Sequence, residues 1–170
     1  MFKFYLLISI LLKLFTGLPE GVKAVDGFEA SRFLGTWYEI ARLDHRFERG
    51  LENSSATYLP RDDGGINVIN KGWSHEKHQW KEADGKAYFI DQHNVGRLKM
   101  SFLGPIYAGY NIIELDKKNY SYSVVAGPNK SYLWILSRTK QLPKPVLNNL
   151  IDKAKQQGFT TNKLIYVNQN

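Results

Sequence analysis

Between residues 36 and 138, apolar and polar side chains alternate with a period of two, in short runs broken every eight to twelve residues by turn chemistry. This spacing predicts eight strands, over 36–43, 54–58, 66–71, 80–90, 97–102, 107–115, 120–126 and 132–138. The fifth is the clearest: Leu98, Met100 and Phe102 alternate with Arg97, Lys99 and Ser101, one face apolar and one face wet. In the fourth, Gly85, Ala87 and Phe89 share a face, and small residues there imply interior space. Pro60-Arg61-Asp62-Asp63-Gly64-Gly65, Gly104-Pro105, Asp116-Lys117-Lys118-Asn119 and Gly127-Pro128-Asn129-Lys130 supply the turns. No helical period interrupts the strands, so they read as an up-and-down sandwich or barrel, and a barrel leaves no edge to protect. The period then changes: Val146, Leu147, Leu150, Ile151 and Ala154 mark one face of a helix that starts at the prolines and ends at Gly158. It should lie on the barrel wall. A lead-in from Phe28 to Phe33 can cap the barrel bottom, and a short strand from Leu164 to Val167 can rejoin the sheet.

The two ends of the strand series belong together. Gly35 lets the chain turn tightly into the first strand, and Trp37 beside it is too large to leave in water. Arg138 closes the eighth strand, where a planar guanidinium can lie on an indole while its donors take up loose carbonyls. With eight strands alternating up and down, the start of the first and the end of the eighth share one end, which Trp37 and Arg138 seal. The opposite mouth receives the loops 44–51, 73–80, 103–106 and 127–131. They hold His45, Arg46, Phe47, Arg49, His75, Lys77, His78 and Lys130 among Trp73, Trp80 and Tyr107. A mouth both basic and aromatic suits an amphipathic acid. Its chain is expected along Ala87, Phe89, Leu98, Met100, Phe102, Tyr110 and Trp134, with Phe47 above them and the head near His45, Arg46 and Arg49.

Length and composition narrow the classes. One hundred and seventy residues make one domain with a real core, and 14% aromatic residues exclude a disordered chain. No cysteine is present, which removes disulfides, thiolate metal sites and thiol nucleophiles. The formal charge of +7 includes Lys3 and Lys13, leaving 7 − 2 = +5 for the remainder. Its cations are scattered instead of massed, so small acids or anionic lipid fit the high pI better than nucleic acid does. Phe4 to Phe15 is apolar apart from Ser9 and Lys13, follows Lys3 and precedes the small pair Thr16-Gly17. That is the outline of a signal peptide, too short to span a bilayer, with residues 1–17 removed and 18–170 forming the domain. Leu14-Phe15-Thr16-Gly17 looks like the start of a bacterial lipobox, whose next residue is a lipid-bearing cysteine, but Leu18 stands there. Two expectations stay open: a soluble periplasmic protein, or an outer-membrane protein whose anchoring cysteine the sequence as written lacks.

Three motifs in order carry a family resemblance. Gly35-Thr36-Trp37-Tyr38-Glu39 resembles the first lipocalin signature, Gly109 to Asp116 the central one, and Trp134-Ile135-Leu136-Ser137-Arg138 the last. Ile40 to Gly50 and Asp62-Asp63-Gly64-Gly65 are similar to the bacterial outer-membrane branch of the family. The resemblance covers essentially everything after residue 25. It implies an all-β fold: an eight-stranded antiparallel up-and-down barrel, with one C-terminal α-helix on its wall. It further implies a cavity for small hydrophobic ligands, fatty acids or lysophospholipids in the bacterial branch, membrane association and a part in envelope upkeep. No cofactor or metal is implied, and monomer or homodimer stays open.

Other candidate chemistry has simpler readings beside it. Counting inward from Trp37, Glu39 and Ala41 share its face, placing a carboxylate in the cavity wall, either to orient a ligand or as one half of a satisfied core pair. His75-Glu76-Lys77-His78 lacks the spacing of a helical zinc motif and reads as a solvated basic loop. Asp62 and Asp63 read as turn residues, not as an acid-base pair. Three function classes remain: a carrier of amphipathic lipids, an enzyme on the same barrel, and an interaction module using its aromatic surface. The carrier leads because no nucleophile with its base stands at recognisable spacing.

Overall fold

The computed structural model describes residues 15–170. The apolar run expected to be a signal peptide therefore lies outside the described residues, apart from its end at Phe15 to Gly17. Nine strands follow a one-turn helix α1 (Ala30–Phe33): β1 (Gly35–Arg42), β2 (Leu51–Pro60), β3 (Ile66–Ser74), β4 (Gln79–Phe89), β5 (Arg97–Leu103), β6 (Ile106–Leu115), β7 (Tyr122–Ala126), β8 (Leu133–Ser137) and, after helix α2 (Lys144–Gln156), β9 (Ile165–Tyr166). Each of the first eight pairs antiparallel with its neighbour in sequence, and β1 pairs with both β2 and β8. This closes an eight-stranded antiparallel barrel. Closure pairs each strand on both sides along most of its length, which leaves little open edge as a template for aggregation.

The β2–β3–β4 ribbon reaches further toward the mouth than the alternation predicts. β2 begins at Leu51, where 54 was expected, and β3 runs to Ser74, because the outer-face pair Trp73 and Trp80 extends the hairpin with ring centroids 5.7 Å apart. At the other end the lead-in forms the floor. Phe28 and Phe33 pack 5.4 Å apart, Phe33 stacks on Trp37 at 4.8 Å, and the Trp37 indole donates to the Phe33 carbonyl at 2.8 Å. Arg138 lies 4.0 Å from the Trp37 ring centre and donates to the carbonyls of Arg32, Leu34, Thr36 and Tyr120. Gly35 has φ +95, and a Cβ there would sit 3.2 Å from Arg138 Nη1, so both its backbone and its neighbour call for glycine.

Two apolar layers result. Inside the barrel, the floor aromatics continue into Tyr58, Ile66, Val68, Ala87, Leu98, Ile112, Val125 and Leu136. Outside, α2 lays Leu150 and Ala154 on Ile40, Ala41, Leu43, Val124, Leu133 and Ile135. Pro143 and Pro145 preset the start of this helix, and Gly158 at φ +87 ends it. The short β9 pairs with Ala41 and Arg42 at the mouth half of β1, where β2 has diverged. Val167 donates to Ile40, Asn53 donates to Asn168, and the Gln169 side chain bridges the carbonyls of Glu39 and Ser54. The C-terminal segment thus fills the seam between β1 and β2.

Candidate functional site

Register and exposure together trace the bore. The inner row of β4 reads Lys81, Ala83, Gly85, Ala87, Phe89, paired through Ala87 with Met100 of β5, which in turn faces Ala108 of β6. Ala87 and Leu98 are buried near the floor; Met100, Phe89, Tyr110, Trp134 and Ala56 are partly covered; Ala83 and Ala108 are open to solvent. Exposure rises toward the loops on one side of a wall that points inward, so the barrel opens at that end. The space beneath Gly85 is not empty: a Cβ on Gly85 would sit 2.7 Å from the ring of Phe102, which crosses from β5 to cover it. Phe102 stands at the rim, 42% exposed.

One inward position differs from simple alternation. Glu39 points into the barrel as expected, but the register slips between Glu39 and Ala41, so Ala41 turns outward beneath α2 and does not share the face of Trp37. The slip brings Arg42 inside. Only 1% exposed, it donates to Glu39 Oε2 at 2.8 Å and to the carbonyls of Glu48 and Leu51 at 2.7 and 3.0 Å. Glu48 reaches in from the β1–β2 loop, its Oε2 accepting from the Trp134 indole at 3.0 Å and lying 2.7 Å from His45 Nε2. Arg42 thereby ties the loop down through backbone carbonyls while holding the Glu39 carboxyl, and Trp134 and His45 hold that of Glu48. Burial, and then the charge of Glu48, push the Glu39 carboxyl well above its ordinary range despite Arg42. Burial also pushes Glu48 up, but hydrogen bonds from His45 and Trp134 and the charges of His45 and Arg42 bring it net below its ordinary value. Two acids whose pKa values are driven in opposite directions thus flank one guanidinium. Lower down, the Tyr58 and Tyr110 hydroxyls meet at 2.6 Å, and burial pushes both up.

The head-group residues expected at the mouth separate in space. His45 turns inward on Glu48, its ring 5.2 Å from Trp134 and 5.9 Å from Tyr132. Arg46 lies over Phe47 at 4.9 Å, Arg49 is paired with Asp44 at 2.7 Å, and Phe47 itself is 69% exposed at the loop tip. A cleft of about 400 Å³ lies here, lined by Asp44, His45, Arg46, Phe47, Ser131 and Tyr132, between the β1–β2 and β7–β8 loops. Arg42 and Glu48 were not singled out as site residues from the sequence. Nothing in an alternating pattern marks a bulge. Among the described residues, no group of three or more His, Asp or Glu side chains could hold a metal ion. His75 is engaged instead with Glu52 at 2.7 Å.

A closed antiparallel barrel, floored by aromatics at one end and open along an apolar inner wall at the other, is a calyx for small molecules. The chain belongs to the lipocalin family: the lipocalin-like domain profile matches residues 28–169. It is 54% identical over 166 residues to the outer membrane lipoprotein Blc of Vibrio cholerae, covering 98% of this chain and 97% of the relative. Over 151 residues it is 52% identical to the protein of the same name in Escherichia coli K12, covering 89% and 85%. The temperature-induced lipocalin-1 of Arabidopsis thaliana is 34% identical over 152 residues, covering 84% and 80%. Among solved structures, insecticyanin of Manduca sexta superposes with a TM-score of 0.71 at 22% identity, over 91% of this chain and 87% of that one, a likeness of fold. Membership of the family implies binding of small hydrophobic ligands, and the two bacterial relatives are named as outer membrane lipoproteins. No helix among the described residues is long and apolar enough to cross a membrane.

Proposed function

We propose that the chain binds and carries amphipathic lipids, fatty acids or lysophospholipids, without turning them over, and that it does so in upkeep of the bacterial envelope. The observation that supports this reading best is the graded inner wall: apolar and buried at Ala87 and Leu98, half-covered at Met100 and Tyr110, open at Ala83 and Ala108. An acyl chain entering there replaces water against an apolar surface. A head group stays at a rim that carries Arg46 and Arg49, with the Glu39–Arg42–Glu48 cluster on the wall beneath. Each buried methylene contributes about 0.8 kcal/mol, so affinity should rise about fourfold per methylene until the bore is full. A head-group charge at a wet rim adds at most about 1 kcal/mol. Displacement of a fluorescent acyl probe by a series of fatty acids and lysophospholipids tests this, and affinity flat across chain length would sink it. Hydrolysis of the lysophospholipid during the titration would point to the enzyme reading instead. With Leu18 at the expected attachment position, outer membrane and periplasm both stand as proposed locations, and intact mass of protein from the cell separates a lipid-bearing form from an unmodified one.

A further inference from the structure

We propose that the open end of the barrel is also a docking surface for an anionic phospholipid bilayer, so that the mouth faces lipid and not bulk water. Three observations converge on that end. Large apolar side chains stand exposed at loop tips there: Leu103 at 73%, Ile106 at 63%, and Phe47 and Trp80 on the loops and hairpin beside them. Single exposed apolar residues are ordinary, but these gather on the loops after β1, β3 and β5, which the up-and-down order brings to one end.

The second observation is chemical. Three cations each lie over an aromatic ring at this end: Arg46 over Phe47 at 4.9 Å, Lys71 over Trp80 at 4.8 Å and Lys99 over Tyr107 at 5.0 Å. A ring with a cation on it matches the layering of a membrane interface, where rings settle at the acyl boundary and cations among the phosphates. Of the acids near this end, Asp44 is taken by Arg49, Glu48 is turned inward onto Trp134 and Glu52 is paired with His75, leaving Glu76 and Glu82, the cross-strand neighbour of Lys71, against the cations. Cations near an anionic leaflet are attracted by its surface potential within a Debye length, which a neutral protein partner would not supply.

The third observation is where the chain reaches the barrel. From the floor at Phe28, the segment runs up the outer wall: Val25 donates to Ile112, and Gly17 accepts from the Asn111 side chain against Gly109. β6 runs from the mouth at Ile106 to the floor at Leu115, so Gly17 lies about three residues, roughly 10 Å, from the rim. Whether residues 1–17 are kept or removed, that end of the chain meets the barrel on its mouth half. A tether there and a docked mouth are compatible in one orientation.

The proposal goes beyond the carrier reading and does not depend on it. Its test uses the full chain with vesicles of phosphatidylcholine alone and of phosphatidylcholine with phosphatidylglycerol. Leu103→Ser/Ile106→Ser should weaken sedimentation with the anionic vesicles at least about tenfold, since two side chains no longer enter the apolar layer. Lys99→Glu should do likewise, and added salt should weaken the wild type. The fluorescence lost in Trp80→Phe should be the part quenched by brominated acyl chains, a readout of the mouth that the N-terminal segment does not move. Acyl-probe affinity without vesicles should be unchanged in Leu103→Ser/Ile106→Ser, so failure of the carrier reading and failure of docking are separable. Equal binding by Leu103→Ser/Ile106→Ser and wild type, no preference for phosphatidylglycerol, or Trp80 fluorescence untouched by brominated lipid overturns docking. So does a concentration-dependent dimer that these serine substitutions abolish, which would make a second copy the occupant of the face.

Discussion

Arg138 satisfies four backbone carbonyls and covers one indole with a single side chain. A lysine carries the same charge but neither the plane nor the fork, so Arg138→Lys should cost about 1–3 kcal/mol, read as a lower urea midpoint. Surface lysines changed to arginine serve as the control and should barely move it. Glu39 sets a different test because its effect depends on pH. A carboxyl whose folded pKa lies above its ordinary 4.5 favours the fold while it holds its proton. That contribution is complete below the ordinary value and is lost as pH rises through the raised one. Glu48 has the opposite sign: its net depressed pKa favours the fold above the ordinary value, and that part is lost as pH falls. Glu39→Gln keeps an acceptor for Arg42 and removes the first dependence alone. As pH rises above the ordinary value of 4.5, midpoints of the variant should therefore fall less, or rise more, than those of wild type, and parallel curves would show that Glu39 is ionised in the fold.

At the scale of elements, the seam between β1 and β2 is closed by a two-residue strand and a glutamine side chain in place of a full ladder. Gln169→Ala leaves the carbonyls of Glu39 and Ser54 without their donor and should cost about 1–3 kcal/mol by denaturant titration. Gln169→Glu should cost more, since a carboxylate would face the two carbonyls; equal midpoints for wild type and both variants would mean the bridge contributes nothing. The strands themselves were legible because alternation survives wherever one face meets a core, as in Leu98 and Met100 against Arg97 and Lys99. The meeting of Trp37 with Arg138 was legible from strand parity. Arg42 was not: two residues past Glu39 the count predicted Ala41 inside, and a bulge is a local backbone choice that side-chain periodicity does not record. Gly85 misled in another way, since the space it leaves is taken by Phe102 from the next strand, a contact set by register and not by residue size alone.

For the whole molecule, the graded wall decides where a blocking side chain should go. Ala87 is a natural choice from sequence, small and on the inner face, yet it is 1% exposed and packed among the floor residues. Ala87→Trp would force a large ring into a filled layer, and overpacking of this kind destabilises by about 1–3 kcal/mol or more. Lost binding in that variant would not separate a blocked bore from a disturbed barrel. Ala83 and Ala108 point inward from β4 and β6 but are open to solvent, so an indole there can stand in the bore without displacing the core. Ala83→Trp and Ala108→Trp should keep the wild-type circular dichroism spectrum and urea midpoint within about 1 kcal/mol, and should weaken an acyl probe strongly, more for long chains than for short ones. The chain-length term is what an interior site requires, because a plug removes the deep methylene contacts first. Folded Ala83→Trp and Ala108→Trp proteins that bind long and short chains as wild type does would place the ligand outside the barrel, and the rim cleft between Phe47 and Tyr132 would become the site to examine.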